Sequence, residues 1–136
     1  MLASKIAIID NEADAVSLFQ EALELAGFKV SAFTDPIEAL NSIKQNPKDY
    51  SLIISDYRMP EMNGNELCTE LISINPDLKI IIMSAFEHID YDHSRFQFIS
   101  KPIPLPHLIK TVNDIIGGEQ QEVITKLTKF KQYRSS

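Results

Sequence analysis

The sequence has no tryptophan, a single cysteine and only four glycines among its 136 residues. Cys68 alone cannot form an internal disulfide, and a thiolate metal site needs more than one such ligand. With no Asn-x-Ser/Thr acceptor either, a reducing, cytoplasmic setting is expected. The glycines, Gly27, Gly64, Gly117 and Gly118, cannot be arranged as Gly-x-Gly-x-x-Gly or Gly-x-x-x-x-Gly-Lys, so the usual dinucleotide and nucleoside-triphosphate loops are missing. Positive charge is scarce. Thirteen Lys and Arg stand against 19 Asp and Glu, a formal charge of −6, which argues against a broad nucleic-acid-binding face and makes direct DNA binding unexpected. No apolar run approaches the roughly 18 residues of a membrane span. The longest, four residues as in Ile80 to Met83, have the length of a strand, and no basic-then-apolar N-terminal pattern marks a secretory signal, so membrane insertion is not expected.

What is present is ordinary for a globular chain: 44% hydrophobic and 24% charged residues. The length suits one domain able to fold without disulfides or a structural metal. Ser4 to Ile9 is apolar and β-branched and ends on Asp10. Val16, Phe19, Leu23 and Ala26 then recur at helical spacing, with Gly27 as a C-terminal stop. Lys29 to Phe33 reads as a second strand. Asp35-Pro36-Ile37-Glu38 opens a helix, with Asp35 as cap, Pro36 at the first position and Glu38 completing a capping box. Leu52 to Ser55 is a buried strand ending on Asp56, and Asn65 to Ile74 a helix closed by Pro76. Leu78 to Met83 is the most apolar strand and ends on Ser84. Gln97 to Ser100 ends on Lys101, and Leu105 to Ile116 is the last helix, stopped by Gly117-Gly118.

This is β followed by α, five times over. Continuous apolar strands are those of a parallel sheet covered on both faces, and alternating βα units imply right-handed crossovers in an open, doubly wound α/β sheet. In such sheets the site lies outside the carboxyl ends of the strands. Four strands end on Asp10, Asp56, Ser84 and Lys101, so one crevice receives two carboxylates, a hydroxyl and an ammonium. Alone, each would read as a cap, a turn residue or a solvated side chain. Together they have a use. Two facing carboxylates call for a cation, and with oxygen ligands that cation is Mg²⁺. Mg²⁺ and an ammonium neutralise a phosphoryl group in transfer, and a carboxylate can attack phosphorus to form an acyl phosphate.

With Ile-Ile-Asp10-Asn11-Glu12, Ser-Asp56-Tyr-Arg-Met59-Pro60-x-Met-x-Gly64, Met-Ser84-Ala85 and Ser-Lys101-Pro102 in place, the chain resembles the receiver domain of two-component response regulators over about residues 4–117. The resemblance implies a five-stranded flavodoxin-like sheet of order 2-1-3-4-5, with a receiver domain over residues 1–117 and a C-terminal tail over 118–136. It implies Asp56 as phosphoacceptor, and a Mg²⁺ pocket formed by Asp10, Asn11, Asp56 and the Arg58 backbone carbonyl. Ser84 is then the switch hydroxyl, Lys101 the lysine that pairs with the phosphoryl group, and Phe98 the switch aromatic. A cis Lys101-Pro102 bond is usual in the family. The donor would be a sensor histidine kinase or a histidine phosphotransfer protein, the output contact with a downstream protein whose identity the sequence does not give. Apart from self-catalysed phosphotransfer and autodephosphorylation, no enzyme activity is implied.

Several residues depart from the family pattern. Asn11 replaces an acid, which removes one negative charge from the metal pocket and predicts weaker Mg²⁺ binding. Glu12 beside it reads as a helix N-terminal acid favoured by the dipole. Phe98 lacks the hydroxyl of a tyrosine and reads either as a rotamer switch or as a plain core residue. The segment from Ala85 to Arg95 is short and polar without apolar periodicity, so the fourth helix is expected to be shortened or irregular and the output face unusual. His88, Asp90, Asp92 and His93 in it read as solvated. Arg58 and Phe86 lie two positions after Asp56 and Ser84, where they could screen a phosphoryl group from water and lengthen its lifetime. Cys68 reads as a small buried hydrophobe. In the tail, Val123, Leu127 and Phe130 are spaced i, i+4, i+7 beside Lys126, Lys129 and Lys131, an amphipathic helix or a solvated end. The alternative to a phosphoacceptor is a receiver-like binding module that works without phosphorylation, motivated by Asn11 and Phe98. An aspartyl phosphatase on a similar sheet is disfavoured, since Arg58 stands where its general acid would be needed.

Overall fold

The computed structural model describes residues 5–86 and 88–116. Five parallel strands, β1 (Lys5–Ile9), β2 (Lys29–Phe33), β3 (Tyr50–Asp56), β4 (Lys79–Ser84) and β5 (Gln97–Ser100), form one sheet in the order β2-β1-β3-β4-β5. The described residues hold four α-helices, α1 (Ala13–Leu25), α2 (Pro36–Gln45), α3 (Gly64–Ile74) and α4 (Leu105–Ile116), and a short 3-10 turn at Pro47–Asp49.

The apolar strand runs are explained by what covers each face. Successive strand residues point to opposite sides. Ile6, Ile8, Leu52, Ile54, Ile81 and Met83 pack with Phe19 and Leu23 of α1 and with Leu108 and Val112 of α4. Ala7, Ile9, Ile53, Ile80 and Ile82 pack with Ala39, Leu40 and Ile43 of α2 and with Leu67, Cys68 and Leu71 of α3. Both faces are therefore buried, and a polar residue inside a central strand would have no water to reach. No helix among the described residues is long and apolar enough to cross a membrane.

Local signals explain where the helices begin and end. α1 stops before Gly27, whose φ of 98° is left-handed and suits glycine. Asp35 caps α2 by accepting the Ile37 N–H at 2.9 Å, with Pro36 at the first helical position. The capping box expected from Glu38 is not formed there. It forms instead at α3, where Asn63 Oδ1 accepts the Glu66 N–H at 2.8 Å and Glu66 Oε1 accepts the Asn63 N–H at 3.1 Å.

The fourth βα unit departs from the expected alternation. No helix is present among the described residues between Ser84 and Gln97, so this crossover is irregular there, as its lack of apolar periodicity predicts. Asp92 turns the chain on itself, its carboxylate accepting the Ser94 N–H at 3.1 Å and the Ser94 hydroxyl at 2.6 Å. Such local bonds compete with helical ones. Those bonds, the hydroxyl first, also hold the Asp92 carboxyl below the usual carboxylate range. The Asp92 N–H donates to Asn65 Oδ1 at 3.1 Å, which ties the crossover to the start of α3. Ile89, Tyr91 and Phe96 pack on the core side in place of a helix face. The expected Gly117-Gly118 stop and the amphipathic tail lie outside the described residues.

Candidate functional site: an acidic crevice at the strand ends

Parallel strands in register bring their carboxyl ends to one edge of the sheet. Ile9 pairs with Ser55, Asp56 with Met83, and Ser84 with Ser100. Asp10, Asp56, Ser84 and Lys101 therefore emerge side by side from β1, β3, β4 and β5. Asp10 is fully buried, Ser84 is buried, and Asp56 is 8% exposed.

Lys101 joins the two carboxylates. Its Nζ donates to Asp10 Oδ2 at 2.8 Å and lies 3.1 Å from Asp56 Oδ1. An ammonium from an edge strand thus reaches across β4 to both β3 and β1. The remaining Asp10 oxygen, Oδ1, accepts the Glu12 N–H at 3.0 Å. These charges set the protonation of the site. Burial raises the Asp56 carboxyl above its ordinary value, the neighbouring Asp10 charge adds to the rise, and Lys101 opposes it. For Lys101, burial works against the ammonium, but the hydrogen bonds and charges of Asp10 and Asp56 outweigh it and raise its value. Both groups are held ready for charge chemistry: a carboxylate with reduced stabilisation beside a fixed cation.

The backbone around Asp56 is tightly fastened. The Tyr57 N–H donates to the Met83 carbonyl at 2.8 Å and the Gly64 N–H to the Tyr57 carbonyl at 2.8 Å. The Ser55 hydroxyl donates to the Asp56 carbonyl at 2.9 Å. Gly64 lies so close that a Cβ there would collide with the Asp56 carbonyl oxygen, so the residue must be glycine for proximity and not for its φ. On the opposite wall the Lys101 N–H donates to the Ser84 carbonyl at 2.9 Å, and the Lys101-Pro102 bond is cis, as the resemblance implies. Ser84 Oγ accepts the Phe86 N–H at 3.0 Å.

Arg58 and Phe86 meet. The guanidinium carbon lies 3.9 Å from the centre of the Phe86 ring, which joins the loop after β3 to the loop after β4. Both side chains are exposed. Phe98 is half-buried on β5, and the Tyr91 ring stacks on it at 5.7 Å between centroids. Tyr91 in turn lies 3.9 Å from His93. Neither Tyr91 nor Ser55 stood out in the sequence. Tyr91 sits in a segment with no periodicity, and Ser55 passes for one more strand residue. Cys68 is fully buried, and burial pushes its thiol well above the ordinary range.

Asn11 is exposed next to buried Asp10. Among the described residues no group of three or more His, Cys, Asp and Glu side chains converges as a metal site. The crevice nonetheless offers oxygen donors only: the Asp10 and Asp56 carboxylates, the Asn11 amide oxygen and the nearby backbone carbonyls. That donor set, completed by water, fits a hard divalent cation such as Mg²⁺ and suits no soft metal.

The family model described as the response regulator receiver domain matches residues 6–113. The response regulator receiver protein CpdR of Brucella abortus (strain 2308) is 31% identical over 117 residues, covering 82% of this chain and 96% of that protein. The C4-dicarboxylate transport transcriptional regulatory protein DctD of Rhizobium meliloti (strain 1021) is 32% identical over 115 residues, 80% of this chain. The match spans only 24% of DctD, so this chain corresponds to about a quarter of that regulator. Among solved structures, the CheX-CheY-BeF3-Mg²⁺ complex of Borrelia burgdorferi superposes with a TM-score of 0.74 at 18% identity, covering 85% of this chain and 90% of that one. The chain belongs to the response regulator receiver domain family, with its five-stranded 2-1-3-4-5 sheet. Receiver domains are generally Mg²⁺-dependent and interact with histidine kinases and downstream targets.

Proposed function

We propose that this chain is a phosphoacceptor receiver in a two-component phosphorelay, phosphorylated on Asp56 and signalling through protein–protein contacts. The observation that carries the reading is Lys101, whose Nζ stands within 3.1 Å of both Asp56 and Asp10 although it comes from the far edge of the sheet. An Asp56 oxygen attacks the phosphorus of a phosphohistidine on a sensor histidine kinase or histidine phosphotransfer protein. The P–N bond breaks, the imidazole leaves with the bonding electrons, and an acyl phosphate remains on Asp56. Asp10, Asn11, Asp56 and the Arg58 carbonyl would hold Mg²⁺, which supplies neutralising charge to the phosphoryl oxygens when bound. Lys101 contributes a second positive charge from its fixed position.

Ser84 and Lys101 then hydrogen-bond the new phosphoryl oxygens. For Ser84 this means donating its hydroxyl hydrogen toward Asp56 while the oxygen still faces the Phe86 N–H. Engagement of these residues biases the loops after β4 and β5, and any partner that prefers that arrangement favours phosphorylation in return. The receiver unit is assigned to residues 1–117 and the tail to 118–136.

A second reading, a binding module independent of phosphorylation, rests on exposed Asn11 in place of an acid and on Phe98 without a hydroxyl. Intact mass separates the two. Incubation with a small-molecule phosphodonor and Mg²⁺ should add one phosphoryl group to the wild type and none to Asp56→Ala. With Mg²⁺ binding measured separately, failure of the wild type to gain the group from either the small donor or a histidine phosphotransfer protein favours the second reading.

A further inference from the structure

The outer face of α1 exposes two leucines in an acidic surround. Leu25 is 82% exposed and Leu18 is 51% exposed, although both lie in a regular helix whose other side is fully packed. They are seven residues apart, two helical turns and about 10 Å along one side. Glu21 lies between them on the same side, and Asp14, Glu21 and Glu24 are the only charged residues of the helix. Leu25 also borders a shallow, open depression beside Ser17, Gln20, Glu21 and Glu24. A second copy of the same face would bring carboxylates against carboxylates. The charge selects a basic amphipathic partner.

This chain carries such a segment. Val123, Leu127 and Phe130 repeat the seven-residue spacing of Leu18 and Leu25, and from Val123 onward every charged residue is basic: Lys126, Lys129, Lys131 and Arg134. On a helix, Lys126 and Lys131 would flank the apolar line on its two sides. The chain also leads there. α1 and α4 cover the same face of the sheet and both run back from the crevice, so Ile116 ends at the same end of the molecule as Leu25. Ala26, Ile115 and Ile116 pack on one core cluster. The residues between Ile116 and Val123 can span roughly 20 Å, against an interaxial distance of about 10 Å between neighbouring helices.

We propose that residues 119–134 dock as an amphipathic helix on the outer face of α1, antiparallel to it. Val123 then lies by Leu25, Phe130 by Leu18, and the basic residues lie along Asp14, Glu21 and Glu24. The docked segment covers α1 from its foot toward the crevice, and a protein that approaches α1 must displace it. The assignment is independent of whether Asp56 accepts a phosphoryl group.

The test is paramagnetic broadening in the full chain. A nitroxide on Thr128→Cys points away from the docking line, and native Cys68 is fully buried and stays unlabelled. The ¹⁵N amides of residues 17–25 should lose at least half their intensity relative to the reduced label, and those of α2 and α3 should keep theirs. The double variant Glu21→Lys/Glu24→Lys, which changes only exposed residues, should restore α1 intensities. Adding Lys126→Glu/Lys129→Glu should bring the broadening back. Full α1 intensity with the label oxidised would overturn the proposal. So would broadening centred on another face. A third contrary result is broadening that persists when the labelled and ¹⁵N-enriched chains are different molecules mixed together.

Discussion

Lys101→Met tests the electrostatics of the crevice most severely, because it deletes the charge and keeps most of the side-chain stem. In the wild type one ammonium serves two carboxylates at 2.8 and 3.1 Å, one of them fully buried. Removing one partner of a buried ion pair typically costs about 3–5 kcal/mol, because the remaining charge stays desolvated and unpaired. The Lys101 side chain is 21% exposed, which places the cost at the lower end, about 3 kcal/mol. With a urea slope near 2 kcal/mol/M, the unfolding midpoint at pH 7 should fall by about 1.5 M at unchanged slope. The sign with pH follows from the variant's carboxyls. Without Lys101 to oppose burial and the neighbouring Asp10 charge, the Asp56 carboxyl is pushed further above its ordinary value. The Asp56 part of the deficit is therefore complete above the variant's folded value and is lost as pH falls below the wild-type folded value, which itself lies above the ordinary 3.8. Urea melts of wild type and variant at pH 7, 5.5 and 4 measure this. A deficit under about 1 kcal/mol at pH 7, or one that does not shrink toward pH 4, would refute the reasoning.

Further predictions follow from individual contacts. Asp56→Asn should raise the urea midpoint at pH 7, since burial and Asp10 oppose the charge of Asp56 in the folded protein. That gain is absent below pH 3.8, where the wild-type carboxyl is protonated in both states, and it grows as pH rises through the folded value. Gly64→Ala should cost about 1–3 kcal/mol by the same assay, because its Cβ meets the Asp56 carbonyl oxygen, which the Ser55 hydroxyl and the strand hold in place. Asn63→Ala should cost about 1 kcal/mol through loss of the capping box on α3. The stack of Arg58 on Phe86 is worth about 0.5–1 kcal/mol at an exposed site, so Phe86→Ala should shorten the lifetime of a phosphoryl group on Asp56 about two- to five-fold, read by mass spectrometry after removal of the donor.

The strand ends carried most of what could be read in advance. Asp10, Asp56, Ser84 and Lys101 each follow an apolar run, and a parallel sheet converts that repeated position into proximity. The alternation of Ile6 and Ile8 against Ala7 and Ile9 between two helical layers was equally visible as continuous hydrophobicity. What escaped depended on contacts between distant segments. The crossover after β4 was legible as irregular because it lacks period. That its described residues form no helix follows from the Asp92–Ser94 bonds and from the Asn65 anchor, a residue 27 positions away. The stacks of Arg58 on Phe86 and of Tyr91 on Phe98 are of the same kind. The capping box was misplaced at Asp35 because two sites carry the same cap-x-x-Glu pattern, and only Asn63-Glu66 closes both bonds.

The most direct test of the central claim is to find the phosphorylated atom. The full chain is phosphorylated by a histidine phosphotransfer protein in the presence of Mg²⁺, reduced with borohydride and digested. Reduction turns an acyl phosphate on aspartate into homoserine. Homoserine at position 56, and at no other aspartate, is the predicted result. Homoserine elsewhere, or an unaltered Asp56 in protein shown by intact mass to carry a phosphoryl group, would contradict the account.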